Sequence, residues 1–160
     1  MVNLITEDEL IKKTLTSAKT IAMVGVSSII KDEPSNNIRR RPSIIVMKYL
    51  QEFGYRVIPI NPSSAGKIVY GETIVAKLKD VNIPVDIVNV FRPSKETPMI
   101  AEQAVKIGAK VIWLQYGIQN QEAQEIAKSA NITYIANKCI KQEYQRLFLK
   151  VSPVFPALRS

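Results

Sequence analysis

The sequence predicts a doubly wound, Rossmann-like α/β domain, with a parallel sheet of five or six strands and helices on both faces. Two observations predict it. Short apolar runs at Thr20–Val24, Tyr55–Ile60, Val85–Phe91, Lys110–Leu114 and Ile132–Ala136 lack polar alternation and read as fully buried strands. Segments of helical spacing separate them, the pattern of repeated βα units.

The elements follow in order. Thr6 and Glu9 have capping-box spacing, so a helix runs from Glu7 to about Ser17. The first strand, TIAMV, ends in Gly25. A long polar loop from Val26 to Arg41 follows, and loops of that length inside a domain often carry function. Pro42 suits the first turn of the next helix, whose inward stripe is Ile44, Ile45, Met47 and Leu50, with Gly54 at its end. The second strand ends at Asn61-Pro62. Ile68–Tyr70 reads as a short third strand and Thr73–Lys79 as a short helix. The strand closed by Arg92-Pro93 leads to a helix from about Ser94 to Ile107. Asn120 to Ala130 is helical, stopped by Asn131, and a last helix covers about Lys141 to Lys150. The chain thus reads as one domain over residues 1–160, with its core at about 18–150 and an extended Pro-containing tail at 151–160.

Composition narrows the chemistry. Hydrophobic residues make up 46% and charged residues 22%, enough for a core without staples. The single cysteine, Cys139, forbids an internal disulfide and a cysteine-rich metal site. The chain has no histidine, which removes Ser-His and Cys-His dyads and histidine metal ligation. The N-terminal MVNLITEDELIKK lacks the order of a secretory signal, and no apolar run is long enough to span a bilayer, so the expected setting is cytoplasmic and without a membrane. Lys and Arg number 22 against 14 Asp and Glu, a formal charge of +8 that favours an anionic partner. The basic residues are not interleaved with aromatics, so nucleic acid is not expected.

In such sheets ligands bind beyond the carboxyl ends of the strands. The first strand-end loop is Gly25-Val26-Ser27-Ser28. It begins like a dinucleotide fingerprint, but Ser27 replaces the second glycine and the third is absent. Asn61 stands where an acid would hold the ribose of NAD. Ser27 and Ser28 offer donors to a phosphate, and Arg41-Pro42-Ser43 at a helix start is a natural anion site, with Arg39 and Arg40 adding to the field. Phe91 and Arg92 suit the flat face of an adenine, while core packing and a surface ion pair are their plainer roles. Trp113 and Tyr116 read as core. Cys139 follows a strand end, where a buried inert thiol is the commoner fate. Carboxylates such as Asp32, Glu33 and Glu143 are not spaced as an acid–base pair, so no catalytic group is identified.

The segments TIAMVGVSS, RPSIIVMKYLQEFGYRVIPINPSSAGKIVYGE, PVDIVNVFR, IGAKVIWLQYGI and the final NKC, in this order, resemble the small stand-alone CoA-binding proteins. These are similar to the CoA-binding domain of the succinyl-CoA synthetase alpha subunit. The resemblance covers roughly Thr20 to Glu143. It implies that Gly25, Val26, Ser27 and Ser28 lie against the CoA pyrophosphate and that Arg41 and Ser43 engage phosphate. It implies that Asn61, Pro62, Ser63 and Ser64 line the nucleotide side, with Lys67 supplying a charge the synthetase carries near Ser64. Phe91 and Arg92 would flank the adenine, Gln115, Tyr116 and Gly117 would border the pantetheine path, and Cys139 matches a cysteine common in the stand-alone group. The implied ligand is coenzyme A or an acyl-CoA, bound without catalysis by a sensor, carrier or accessory subunit. A homo-oligomer or an acyl-CoA enzyme is the possible protein partner. The synthetase's phosphorylated histidine belongs to a second domain, so ligase activity by this chain alone is not expected. The loop from Ile29 to Arg40 is longer than the family norm. An NADP-dependent oxidoreductase with a degenerate fingerprint is the alternative.

Overall fold

The structure, a computed structural model, describes residues 5–27 and 41–150. Helix α1 (Glu7–Ser17) opens with the predicted capping box. The Glu9 N–H donates to Thr6 Oγ1 at 3.1 Å, and the Thr6 N–H donates back to Glu9 Oε2 at 3.1 Å. Strand β1 (Thr20–Val24) leads to α2 (Pro42–Glu52) and β2 (Arg56–Ile60). A two-residue pair, β3 (Ile68–Val69) and β4 (Glu72–Thr73), precedes β5 (Ile87–Val90). The chain closes through α3 (Thr97–Lys106), β6 (Val111–Leu114), α4 (Gln121–Ser129), β7 (Thr133–Ile135) and α5 (Ile140–Tyr144). No described helix is long and apolar enough to cross a membrane.

Five parallel strands form the sheet in the order β2-β1-β5-β6-β7. In β1, Ile21 sits opposite Val57 of β2 and Ile87 of β5. Side chains alternate across the sheet. Ile21 and Met23 join Ile11 and Leu15 of α1 and Ile44, Met47 and Leu50 of α2 in one core, which Ile140 of α5 completes. Ala22, Val88 and Ile112 face the other way, onto α3 and α4. Those helices present Ala101, Ala104, Ala123 and Ala127, all fully buried, so both pack close to the sheet and to each other. Both faces are therefore covered, which explains why the strands read as continuous apolar runs.

Tyr55 ties the first core together. Its hydroxyl donates to the Leu15 carbonyl at the end of α1, and burial pushes its pKa up to about 12. The folded state thus favours the protonated phenol, so its contribution is complete below pH 10 and falls as pH rises toward about 12. Tyr55→Phe is expected to cost about 1 kcal/mol at neutral pH and to weaken the loss of stability across that alkaline window, as read by urea unfolding.

The short third strand expected at Ile68–Tyr70 is present over Ile68–Val69 and pairs antiparallel with Glu72–Thr73 outside the main sheet. Two expectations about elements are corrected. The helix expected at Thr73–Lys79 does not form; its first residues, Thr73 to Val75, are extended and Ala76–Lys77 bend. Val75 bridges to Ile60, its N–H donates to the Pro59 carbonyl at 2.9 Å, and its carbonyl accepts from Asn61 N–H at 2.9 Å. That segment satisfies backbone groups along the edge of β2, and a 3₁₀ turn at Leu78–Asp80 follows it. The last helix is α-helical only to Tyr144 and continues as a π turn over Gln145–Leu149. Arg146 in that turn reaches Asp8 of α1 at 2.7 Å and Glu143 at 3.0 Å, which fastens the last helical segment to α1. The tail at 151–160 and most of the loop between Val26 and Arg41 lie outside the described residues.

Candidate functional site

The sheet reverses its strand order at β1. The chain passes from β1 to β2 on one side and continues from β5 on the other, so the loops after β1 and β5 diverge. A crevice at that point, beyond the strand tips, is where this architecture places ligands. Gly25 stands at its base with φ +93°. A Cβ there would lie 2.7 Å from the Phe91 carbonyl oxygen and 2.7 Å from Arg92 Cδ, so the two loops touch through a position only glycine fits.

The first loop is pinned from both flanks. Asn61 at the tip of β2 donates from Nδ2 to the Val26 carbonyl at 2.6 Å, and its Oδ1 accepts from Ser63 N–H at 2.8 Å. Ser27 N–H donates to Ser43 Oγ at 2.9 Å, and the two hydroxyls lie 3.1 Å apart. Ser43 is buried in the first turn of α2, where Arg41 is the N-cap residue, makes no capping bond with its side chain, and is followed by Pro42. The first-turn N–H groups of Ser43 and Ile44 have no intrahelical acceptor by their position. They add the positive end of the helix dipole to the field beside Ser27.

Two hollows flank this pinned loop. The narrower slot, about 470 Å³, is bordered by Gly25, Asn61, Pro62, Lys77, Arg92 and Met99. Arg92 is held on its rim by Glu96 through two bonds of 3.0 and 2.8 Å, which raise the guanidinium pKa further and lower that of the carboxyl. The wider basin, about 870 Å³, is bordered by Pro42, Ile45, Val46, Phe91, Gln115, Tyr116, Ile118 and Cys139, with Lys141, Gln142 and Gln145 from the last helical segment. Phe91 and Arg92 therefore straddle the divide. Gln115 Oε1 is buried with no hydrogen-bond partner among the described residues. A separate groove of about 530 Å³ between α3 and α4 shares no residue with either hollow. No group of metal-ligating side chains occurs among the described residues.

The structure gathers Gly25, Val26, Ser27, Arg41, Ser43, Asn61, Pro62, Phe91, Arg92, Gln115, Tyr116 and Cys139 at this end of the sheet. Two of the expected ligand groups, Asn61 and Ser43, bond to the first loop and so set its backbone. Gly117 lines neither hollow but shapes the turn below Tyr116, its N–H donating to Asn137 Oδ1 at 2.7 Å. Ser64 is only 1% exposed, and neither Ser64 nor Lys67 borders a hollow. Ser28, Arg39 and Arg40 lie outside the described residues. Trp113 is core, as expected, with Nε1 donating to the Lys138 carbonyl at 2.9 Å. Tyr116 is not core: it is 72% exposed, because it follows the strand tip and its turn carries it outward. Sequence reasoning missed Lys77, which sits in the segment expected to be helical. It also missed Lys141, Gln142 and Gln145, although the spacing of the last two puts them on one helix face.

Comparison with known proteins fits this geometry. A family model described as the CoA binding domain matches residues 19–145. The uncharacterized protein YneT of Bacillus subtilis is 40% identical over 131 residues, covering 82% of this chain and 89% of that protein. A solved structure from Thermus thermophilus is 37% identical with a TM-score of 0.79, covering 89% of this chain and all of the other (100%). An acetyl-coenzyme A synthetase from Ca. Korarchaeum cryptofilum shares the fold, with 23% identity and a TM-score of 0.57 over 74% of this chain and 26% of its own. A five-stranded sheet with its crevice at the β1–β5 reversal and a family match over most of its length place this chain in the CoA-binding domain family.

Proposed function

We propose that the protein binds coenzyme A or an acyl-CoA across the crevice at the β1–β5 reversal, as a binding module without chemistry of its own. The observation that carries this reading is the convergence of three strand tips and one helix start on a single loop. The nucleotide occupies the slot beside Asn61, Pro62 and Arg92. The pyrophosphate crosses the loop at Gly25–Ser27, near the first turn of α2 and Arg41. The pantetheine arm descends past Phe91 into the basin bordered by Gln115, Tyr116 and Cys139. Backbone N–H groups, a helix dipole and guanidinium groups suit a ligand with several phosphates. The only carboxylate among the described residues bordering either hollow is Glu96, and Arg92 already engages it. That leaves no acid–base pair facing the ligand and favours binding over turnover. An NADP reading is disfavoured by the incomplete glycine pattern and by Asn61, whose amide is committed to Val26.

Thermal unfolding tests the proposal. At a hundredfold excess over its dissociation constant, CoA stabilises by about 2.7 kcal/mol, which for a domain of this size raises Tm by roughly 5–10 °C. A rise with NADP and none with CoA would reverse the assignment.

A further inference from the structure

The last helical segment has two tasks on different sides. On one side Gln142 and Gln145 border the wider basin. On another, Arg146 turns to α1 and grips two carboxylates in pairs. Its Nη1 and Nη2 donate to Asp8 at 2.9 and 2.7 Å, and its Nε and Nη2 donate to Glu143 at 3.1 and 3.0 Å. Lys138 adds a second link, reaching Glu7 at 3.1 Å and Glu143 at 3.8 Å. Glu143 is only 8% exposed, so these cations compensate a charge that water barely reaches. The α1 side of the clamp is firm, because Ile11 and Leu15 are buried in the core. The other side needs the hold. It has little more than one α-helical turn before a π turn begins at Gln145, a rare geometry found mostly where function requires it.

We infer that Arg146 is a positioning residue for the basin, through which α1 sets the affinity for the ligand's arm. This inference rests on the CoA reading above and deepens it. Arg146 borders neither hollow, so its effect on binding passes through the segment it holds. The paired N–H groups of a guanidinium fix direction as well as distance, so Arg146 sets how Gln142 and Gln145 stand over the basin. Lys138 works beside it, one residue before Cys139 on the basin wall. The slot, which takes the nucleotide, is built by other elements and shares none of these residues. Releasing the clamp therefore loosens one half of the site and leaves the other half intact.

Isothermal titration with free CoA and with adenosine 3′,5′-bisphosphate, which has the nucleotide but no arm, separates the two halves. Asp8→Ala cuts the clamp at its exposed end and leaves the Arg146–Glu143 pair in place, while Arg146→Met removes both links of the guanidinium. CoA affinity is expected to fall about threefold in Asp8→Ala and about tenfold in Arg146→Met, the range from an exposed ion pair to a charge-assisted one. The bisphosphate is expected to bind each variant as it binds the unaltered protein. Arg146→Lys, which keeps the charge but not the two-pronged grip, is expected to fall between the unaltered protein and Arg146→Met. Equal losses for the two ligands, or undiminished CoA affinity in Asp8→Ala, overturn the inference while leaving the CoA reading intact. Asp8→Ala alone decides should Arg146→Met fail to fold. Failure of CoA to bind the unaltered protein overturns the CoA reading itself.

Discussion

Gly25→Val is expected to abolish CoA binding and to destabilise the fold by about 2–5 kcal/mol. Two independent effects add. The backbone at Gly25 has φ +93°, a conformation that disfavours any side chain. The first carbon of the new side chain would also overlap the Phe91 carbonyl oxygen, 2.7 Å from its ideal position. Neither partner is free to yield. Gly25 N–H is bonded to the Ile60 carbonyl at 3.1 Å and Phe91 N–H to the Val24 carbonyl at 2.8 Å, so relief requires prying β1 from a neighbour. Because the same two loops form the divide between slot and basin, the movement also spoils the site. Gly25→Ala adds that same first carbon and should show most of the effect. Urea unfolding and titration with CoA on each variant check this. Wild-type stability together with wild-type affinity would mean that the loops are not in contact as described.

Trp113→Ala is expected to cost about 3–5 kcal/mol, a large part of the stability of an ordinary domain. The indole is fully buried in β6, the largest side chain of the core. It also has a second task, since its Nε1–H holds the Lys138 carbonyl at 2.9 Å, one residue before Cys139 on the basin wall. Trp113→Phe separates the tasks. It keeps an aromatic ring but leaves that carbonyl without its donor, a loss of roughly 1–3 kcal/mol. If the CoA arm lies against this wall, Trp113→Phe lowers CoA affinity although no ligand touches the indole. An unfolding curve and a titration on the same sample distinguish packing from wall position.

Much of the fold was legible because both sheet faces are covered. Runs such as Ile21–Val24 and Val111–Leu114 have no reason to be apolar throughout unless they are buried on two sides. The site was legible where a residue's type is dictated by backbone geometry, as at Gly25, or by its place after a strand, as at Asn61 and Phe91. The roles of Asn61 and Ser43 were harder to read. A polar residue at a strand tip looks the same whether it meets a ligand or fastens a loop, and here both side chains bond to the loop itself. The segment from Thr73 to Lys79 misled for a physical reason. Ile74 and Leu78 are both buried and four residues apart, which imitates a helical stripe. The chain is extended there because β2 offers unpaired edge groups, and no local pattern announces that demand. Lys77 reaches the slot only as a consequence of that pairing. Tyr116 misled in the opposite direction, an aromatic beside buried Trp113 that a turn at Gly117 turns outward.

Amide chemical-shift mapping with unlabelled CoA added to the uniformly ¹⁵N-labelled chain tests where the ligand sits. The account predicts that the largest shifts fall on Gly25, Ser27, Ser43, Ile44, Gln115 and Cys139, while the groove between α3 and α4 stays silent. Shifts concentrated at Glu102, Lys106 and Glu122 on that groove, with the strand-tip amides unmoved, would contradict it.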